Sequence, residues 1–431
     1  MLDINFIKTN KDAVAKAIEE KGIKLDLEDL LEVNEKRNKL TVEADVLRQE
    51  QNEFNKKVVS LSGEERQSAI DEMKSVSERV KSIDEELKEI QAKYQELMYM
   101  VPNIPSDDSP LGGEEANKVV ETWGEIPNFD FNFKTHVELA EDLDLVDFER
   151  GVKVSGFRGY YLKNELTVLH MSLLFYALKK MAEKGFSPMI TPTILKGFAL
   201  YGSGHFPFGK EDIYELANTG KDEAGEQIGE SLYLAGTSEP SLLAYHSGEV
   251  YKEEQLPIKA CGFSQCYRNE VGSYGKDTKG LYRIHEFMKV EQIVICKADE
   301  SESEQWLQKM KEFSCEILQE LGLPHRVLAI AKGDMGAGKR KMYDIETYMP
   351  SRDGYGETHS DSDLTDWQTR RLNIKYIDKD GKKKFAYALN NTVLASPRIL
   401  IAILENFQNA DGSVTIPEVL RPLCGFDKIT K

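Results

Sequence analysis

At 431 residues, 40% hydrophobic and 30% charged, the chain is too long for one ordinary domain and comfortable for two. It has no run of about 18 apolar residues to cross a membrane, its start MLDINFIKTN lacks a signal-peptide pattern, and its five scattered cysteines (Cys261, Cys266, Cys296, Cys315, Cys424) suggest neither a disulfide framework nor a zinc site, so a cytoplasmic protein is expected. The net charge of -18 argues against nucleic-acid binding on average, but a phosphate partner needs only a local basic face.

From about Leu27 to Met100 the pattern predicts two long helices. Val33, Leu40, Ala44, Leu47, Phe54 and Val58 step by threes and fours, with Arg37 and Gln51 interrupting. Met73, Val76, Val80, Ile83, Leu87, Ile90, Tyr94 and Leu97 keep that spacing unbroken. This is a coiled-coil seam, and a turn as short as Ser60–Gly63 makes the helices antiparallel. Each helix, at about 30 residues, would form a rod of roughly 45–50 Å. Basic side chains such as Lys36, Arg37, Arg48, Lys74 and Arg79 stand among more numerous acidic ones, the usual look of a solvated helix surface. Residues 101–113, VPNIPSDDSPLGG, read as a linker. Beyond it, helix and strand patterns mix. A helix over Glu165–Lys184 precedes GFSPMITPTIL with Pro192 in a strand, and its Leu169, Leu173, Leu174 and Leu178 face suits a core or an interface.

The stretch from Cys266 to Gln292 reads as two strands joined by a long polar loop. It would send Arg268, Glu270 and Phe287 toward one cleft. An Arg fork matches a phosphate or carboxylate, an aromatic face stacks on a base, and a Glu reads an adenine edge. Upstream, Thr237, Ser238 and Glu239 precede Pro240. Downstream, Glu357 and Ser360 in ETHSDSDLTDWQTRR supply oxygens suited to a hard cation such as Mg²⁺, and His359 reads as a loop residue without a second His at ligand spacing. LNNTVLASPR, residues 389–398, leads into a helix ending near Asn406, with Pro397 fitting its start.

The 266–292 run resembles motif 2 of class II aminoacyl-tRNA synthetases, in the form found in the seryl-tRNA synthetase family. The helical arm, the GSGHFPF segment (202–208), the Glu357 segment and the motif 3-like 389–398 occur in that family's order. Asp361 departs from a Cys common there and would add a carboxylate close to the phosphates. Asn391, Thr392 and Pro397 vary motif 3, and Ala388 replaces a usual Thr.

The resemblance implies an α+β chain: residues 1–105 as a tRNA-binding domain with an antiparallel coiled-coil arm, and residues 106–431 as a catalytic domain built on an antiparallel sheet flanked by helices. It implies activation of L-serine with ATP and Mg²⁺ and transfer to tRNA(Ser), with tRNA(Sec) a further candidate, in a homodimer whose interface is the Glu165–Lys184 helix with GFSPMITPTIL, which resembles motif 1. Arg268, Arg283 and Arg398 would be catalytic, with Arg268 bridging carboxylate and α-phosphate and the other two on the β- and γ-phosphates. Serine would meet Thr237, Ser238, Glu239, Arg268, Glu291, Asn390 and Thr392. ATP would meet Arg268, Asn269, Glu270, Ile284, Phe287, Glu357, Thr358, His359, Ser360 and Arg398, with Glu357 and Ser360 on the metal. A pocket that hydrogen-bonds a substrate hydroxyl rejects its deoxy analogue, here alanine. An enzyme loading serine on a carrier, and a non-catalytic tRNA-binding scaffold, are the rival readings.

Overall fold

The computed structural model describes every residue except 59–60, 218–219, 221–222, 224–228 and 272–278. It divides into two compact units, Leu2–Val101 and Pro102–Lys431 together with Met1. No helix among the described residues is long and apolar enough to cross a membrane.

The first unit opens with short helices α1 (Ile4–Thr9) and α2 (Lys11–Glu20), followed by α3 (Leu27–Lys57) and α4 (Gly63–Met100). Asp26 caps α3, its carboxylate accepting from the Glu28 and Asp29 amides. Acidic residues in the first turn and Lys56 and Lys57 in the last complement the helix dipole. Helix α4 is longer than expected, 38 residues against 31 for α3. Ser60, in the expected turn, lies outside the described residues. Leu40, Ala44 and Ile83 are buried at the seam, with Leu47, Leu87 and Ile90 packed against them. The two interruptions of the stripe are polar ties across it. The Arg37 guanidinium lies 3.9 Å from the Tyr94 ring centroid, and Gln51 Nε2 donates to Ser77 Oγ at 2.9 Å. Ion pairs Lys36–Glu86, Arg79–Glu43 and Arg48–Asp84 also bridge the helices. Toward its end the α4 seam shifts by one residue, burying Met98 while Leu97 stays half-buried.

The second unit is built on one eight-stranded sheet. Its strands are β1 (Lys118–Trp123), β2 (Ser187–Ile190), β3 (Ile258–Tyr267), β4 (Glu286–Cys296), β5 (His325–Ala329), β6 (Lys341–Met349), β7 (Gly354–Asp363) and β8 (Tyr387–Ala395). They lie in the order β1-β5-β6-β7-β8-β4-β3-β2, antiparallel throughout except for the parallel β2–β3 pair at one edge. Pro192 lies beyond β2 rather than in it.

Alternation along the strands divides the sheet's work. On one face Val290 and Val294 of β4 and Leu389 and Val393 of β8 join the main core with α5 (His136–Asp142), α6 (Asn164–Glu183), α8 (Glu300–Glu320) and α10 (Ser396–Asn406). On the other, Ile293, Ile295 and Ala388 pack with α7 (Glu239–Tyr245) and α9 (Trp367–Leu372). Ala388 therefore sits in an apolar cluster, and its departure from the family residue leaves no polar gap. Leu169, Leu173 and Leu174 of α6 are core residues; the helix's exposed apolar stripe is Val168, Met171 and Phe175.

Candidate active site

Strands β3 and β4 pair through Tyr267↔Glu286, so Arg268 and Arg283 lie just beyond the hairpin's paired ends. The Arg268 amide donates to His285 O at 2.9 Å, and His285 Nδ1 donates back to Arg268 O at 3.0 Å. This closes the base of the loop and holds the Arg268 guanidinium 5.5 Å from the Phe287 ring centroid. Its Nε donates to Gly236 O at 3.2 Å, just before the Thr237–Glu239 segment.

A cavity opens here, lined by Arg268, Glu270, Ile284, Phe287, Glu357, Thr358, His359, Thr392 and Arg398 among others. Nine residues expected at one site, drawn from four stretches of the chain, thus line one cavity. Others do not reach it. Asn269 is exposed, with its amide on Asp212 O and its side chain on Glu211 O. Arg283 is not among the lining residues; its Nη1 donates to Glu270 Oε2 at 3.3 Å. Glu270 holds a left-handed backbone, φ 55°, that turns the chain out of the strand.

Arg398 enters from the first turn of α10, behind Pro397. Its Nη1 donates to Glu357 O at 2.6 Å and meets Glu357 Oε2 at 3.2 Å. Glu357 and Ser360 lie in β7, not in a loop, and His359 with them. His359 is buried, with Nε2 donating to Val393 O at 3.1 Å and Nδ1 2.8 Å from Thr358 Oγ1. Burial drives its pKa down to about 3, so the ring is neutral. Beside Ser360 stands a carboxylate that the sequence reading missed. Asp344 of β6 faces Ser360 in register, and burial, followed by the Glu357 charge, raises its pKa well above the ordinary value. Its Oδ1 is buried with no hydrogen-bond partner among the described residues.

Asp361 is not at this site. Its Cα partner is Asn391, whose own partner is Gln292. Gln292 donates to Met310 O of α8, and Ser314 of α8 donates to Asn391. The Asp361 carboxyl therefore faces α8, on the far side of the sheet from Glu357. It is fully buried, neither oxygen has a hydrogen-bond partner among the described residues, and burial pushes its pKa well up.

Next to the cavity lies a second set of buried polar groups. Glu239 Oε1 accepts from Gln368 Nε2 at 2.6 Å and Asn390 Nδ2 at 2.7 Å. Glu291 Oε2 accepts from Thr392 Oγ1 at 3.2 Å and lies 2.5 Å from Lys289 Nζ. Burial raises the Glu291 pKa, against the pull of Lys289. Thr237 is buried beside Glu239, whereas the Ser238 hydroxyl is spent on Gly262 O at 3.2 Å. A Cβ on Gly262 would meet Ser238 Oγ at 2.8 Å, so glycine lets α7 sit this close to the sheet. Gln368 and Lys289 were missed. Lys289 was legible, since it alternates with Phe287 and Glu291 on one strand face; Gln368 gave no such signal.

Residues 1–105 match the model of the seryl-tRNA synthetase N-terminal domain, and residues 222–407 match that of the class II tRNA synthetase core domain (G, H, P, S and T). A Serine–tRNA ligase from Treponema denticola is 42% identical over 434 residues, covering all of both chains. One from Deinococcus radiodurans is also 42% identical, over 99% of this chain and 98% of its own. The chain belongs to the seryl-tRNA synthetase family. Among solved structures, the Pyrococcus horikoshii seryl-tRNA synthetase complexed with ATP superposes with a TM-score of 0.86 at 34% identity, over 100% of this chain and 99% of that one. The Naegleria fowleri cytoplasmic enzyme in complex with AMP gives 0.82 at 28%, over 100% and 99%. Membership makes the chain a class II aminoacyl-tRNA ligase, and the pairing of helical arm with antiparallel core is the family's architecture.

Proposed function

We propose that the cavity and the adjoining polar pocket form seryl-adenylate from L-serine and ATP, and that the arm then presents tRNA(Ser) to it. The observation that carries this reading is the convergence of Glu239, Glu291, Asn390 and Thr392 on the sheet face that also bears Phe287, with Arg268 and Arg398 at the same cavity. Serine's ammonium would be met by Glu239, its hydroxyl by Glu291 and Thr392, and its carboxylate by Arg268.

The reaction sets two anions against each other. A serine carboxylate oxygen attacks the α-phosphorus, the α–β bridging bond breaks, and diphosphate leaves. No general base is needed; positive charge and alignment are. Arg268 spans both anions, Phe287 stacks on adenine, and Glu270 reads its edge, with Asn269 and Ile284 beside it. Arg398 and Arg283 take the terminal phosphates once they leave their present carboxylate partners. Glu357 and Ser360 fit Mg²⁺, a hard cation that takes oxygen ligands and shares them with phosphates, and the partnerless buried Asp344 Oδ1 adds a third oxygen. When bound, the ion would neutralise phosphate charge. Thr358 and His359 shape the floor beneath these groups. A terminal tRNA hydroxyl then attacks the seryl carbonyl and AMP leaves.

Residues 1–105 would be the tRNA-binding domain and 106–431 the catalytic one, with tRNA(Sec) an additional substrate and the cytoplasm the site of action. The exposed stripe Val168, Met171 and Phe175, with Ile190 83% exposed on edge strand β2, supports a homodimer. The test of the mechanism is Arg268→Ala in serine-dependent ATP–pyrophosphate exchange. Loss of at least about a hundredfold in kcat/KM is expected; unchanged exchange would remove Arg268 from the chemistry.

A further inference from the structure

The serine pocket holds a buried cation that none of the assigned roles uses. Lys289, Glu291 and Thr392 are 5%, 2% and 7% exposed. Lys289 Nζ lies 2.5 Å from Glu291 Oε2 and 3.3 Å from Thr392 Oγ1, and Thr392 Oγ1 lies 3.2 Å from that same carboxylate oxygen. The three form a closed triangle, and Lys289 and Thr392 both line the cavity.

We propose that Lys289 is a positioning residue for hydroxyl recognition, aiming the Thr392 hydroxyl and the Glu291 carboxylate so that the pocket presents acceptors to a substrate O–H. This rests on the assignment of Glu291 and Thr392 to serine. An ammonium can only donate. Thr392 Oγ1 therefore accepts from Lys289, and its single hydrogen is directed to Glu291 Oε2. Its donor capacity is spent, so the incoming side chain must itself donate. Glu291 Oε1 receives no hydrogen bond from the described residues and is the acceptor left over. A methyl in place of the hydroxymethyl group, as in alanine, would leave that oxygen buried and unpaired, the costly case for a polar site. Lys289 also offsets the Glu291 carboxylate, on which the Glu239 charge bears, and Lys339 acts on it in the same sense.

The test is Lys289→Met in ATP–pyrophosphate exchange with serine and with alanine. The KM for serine should rise about tenfold or more, the serine-to-alanine ratio of kcat/KM should fall by at least about tenfold, and the KM for ATP should stay within about twofold. Glu291→Gln and Thr392→Val run alongside. If these two leave the serine KM unchanged, the pocket assignment itself fails. If they raise it while Lys289→Met leaves both KM and ratio within about twofold, the role of Lys289 alone is overturned. Should Lys289→Met fail to fold, Lys289→Met/Glu291→Gln removes both charges together, the better tolerated change. That double variant should lose no more than Glu291→Gln alone; a further loss of about tenfold would mean that Lys289 acts independently of Glu291 and would overturn the proposal.

Discussion

Arg398 stacks on Tyr282: its guanidinium carbon is 4.4 Å from the ring centroid, and its Nε donates to Tyr282 O at 3.4 Å. The arginine at the start of α10 is thus held by the chain returning from the loop between β3 and β4. Arg352 also lies over that ring, at 4.1 Å. The arginine proposed to take the terminal phosphates is fixed by an aromatic as well as by Glu357.

Replacing the ring tests this. A cation–π contact of about 0.5–2 kcal/mol corresponds to a rate or affinity change of roughly 2- to 30-fold. Tyr282→Ala should raise the KM for ATP by that factor, leave the KM for serine unchanged, and be rescued by Tyr282→Phe. Steady-state exchange kinetics with varied ATP measure it.

Gln368 should behave as part of the amino-acid pocket despite lying on α9. Its loss leaves Glu239 Oε1 with Asn390 alone. Hydrogen bonds to a charged group contribute about 1.5–3 kcal/mol, so Gln368→Ala should raise the serine KM by about 10- to 100-fold, with the ATP KM unchanged.

Asp361 should matter for stability and not for chemistry. Its buried carboxyl titrates well above the ordinary value, so the folded chain keeps a proton that the unfolded chain has released. Stability from this position is fully present below the ordinary carboxylate pKa of ~4 and is lost as pH rises toward the raised value. Asp361→Asn should therefore melt higher than the parent at pH 8 and nearly equal to it at pH 4–5. Each pKa unit is worth about 1.4 kcal/mol, and exchange rates should stay within about twofold. Melts across pH, paired with kinetics, check both halves.

The arm should separate the two half-reactions. Several of its basic side chains are committed across the seam, Arg37 to Tyr94 and Lys36, Arg48 and Arg79 to carboxylates. Lys39, Lys56, Arg66, Lys74 and Lys81 are exposed and remain for phosphates. Replacing Lys74 and Lys81 by Glu should leave exchange unchanged, lower tRNA charging, and flatten its dependence on salt.

Much of this was legible in the sequence where one period or one strand face carried the signal. The arm seam is a 3.5-residue repeat, and even Arg37 and Gln51, which broke it, proved to be ties across it. Glu270, Phe287, Glu357, Thr392 and Arg398 were each named from sequence and line one cavity. What stayed hidden depended on facing. Asp361 looked close to the phosphates because it is four residues from Glu357, but register with Asn391 and Gln292 turns it toward α8. The leucine face of α6 suited an interface as well as a core until the outward stripe of Val168, Met171 and Phe175 separated the two. Asp344 of β6 and Gln368 of α9 lie far along the chain from Arg268 and meet the site only through the fold, and Tyr282, in the loop just before β4, carried no periodic signal.

The most direct measurement is ATP–pyrophosphate exchange with serine, threonine, alanine and glycine, with charging of tRNA(Ser) run in parallel. Exchange driven by serine alone, together with charging of that tRNA, is the expected result. Exchange with serine but no charging, or equal exchange with alanine, would contradict the account of this pocket and this arm.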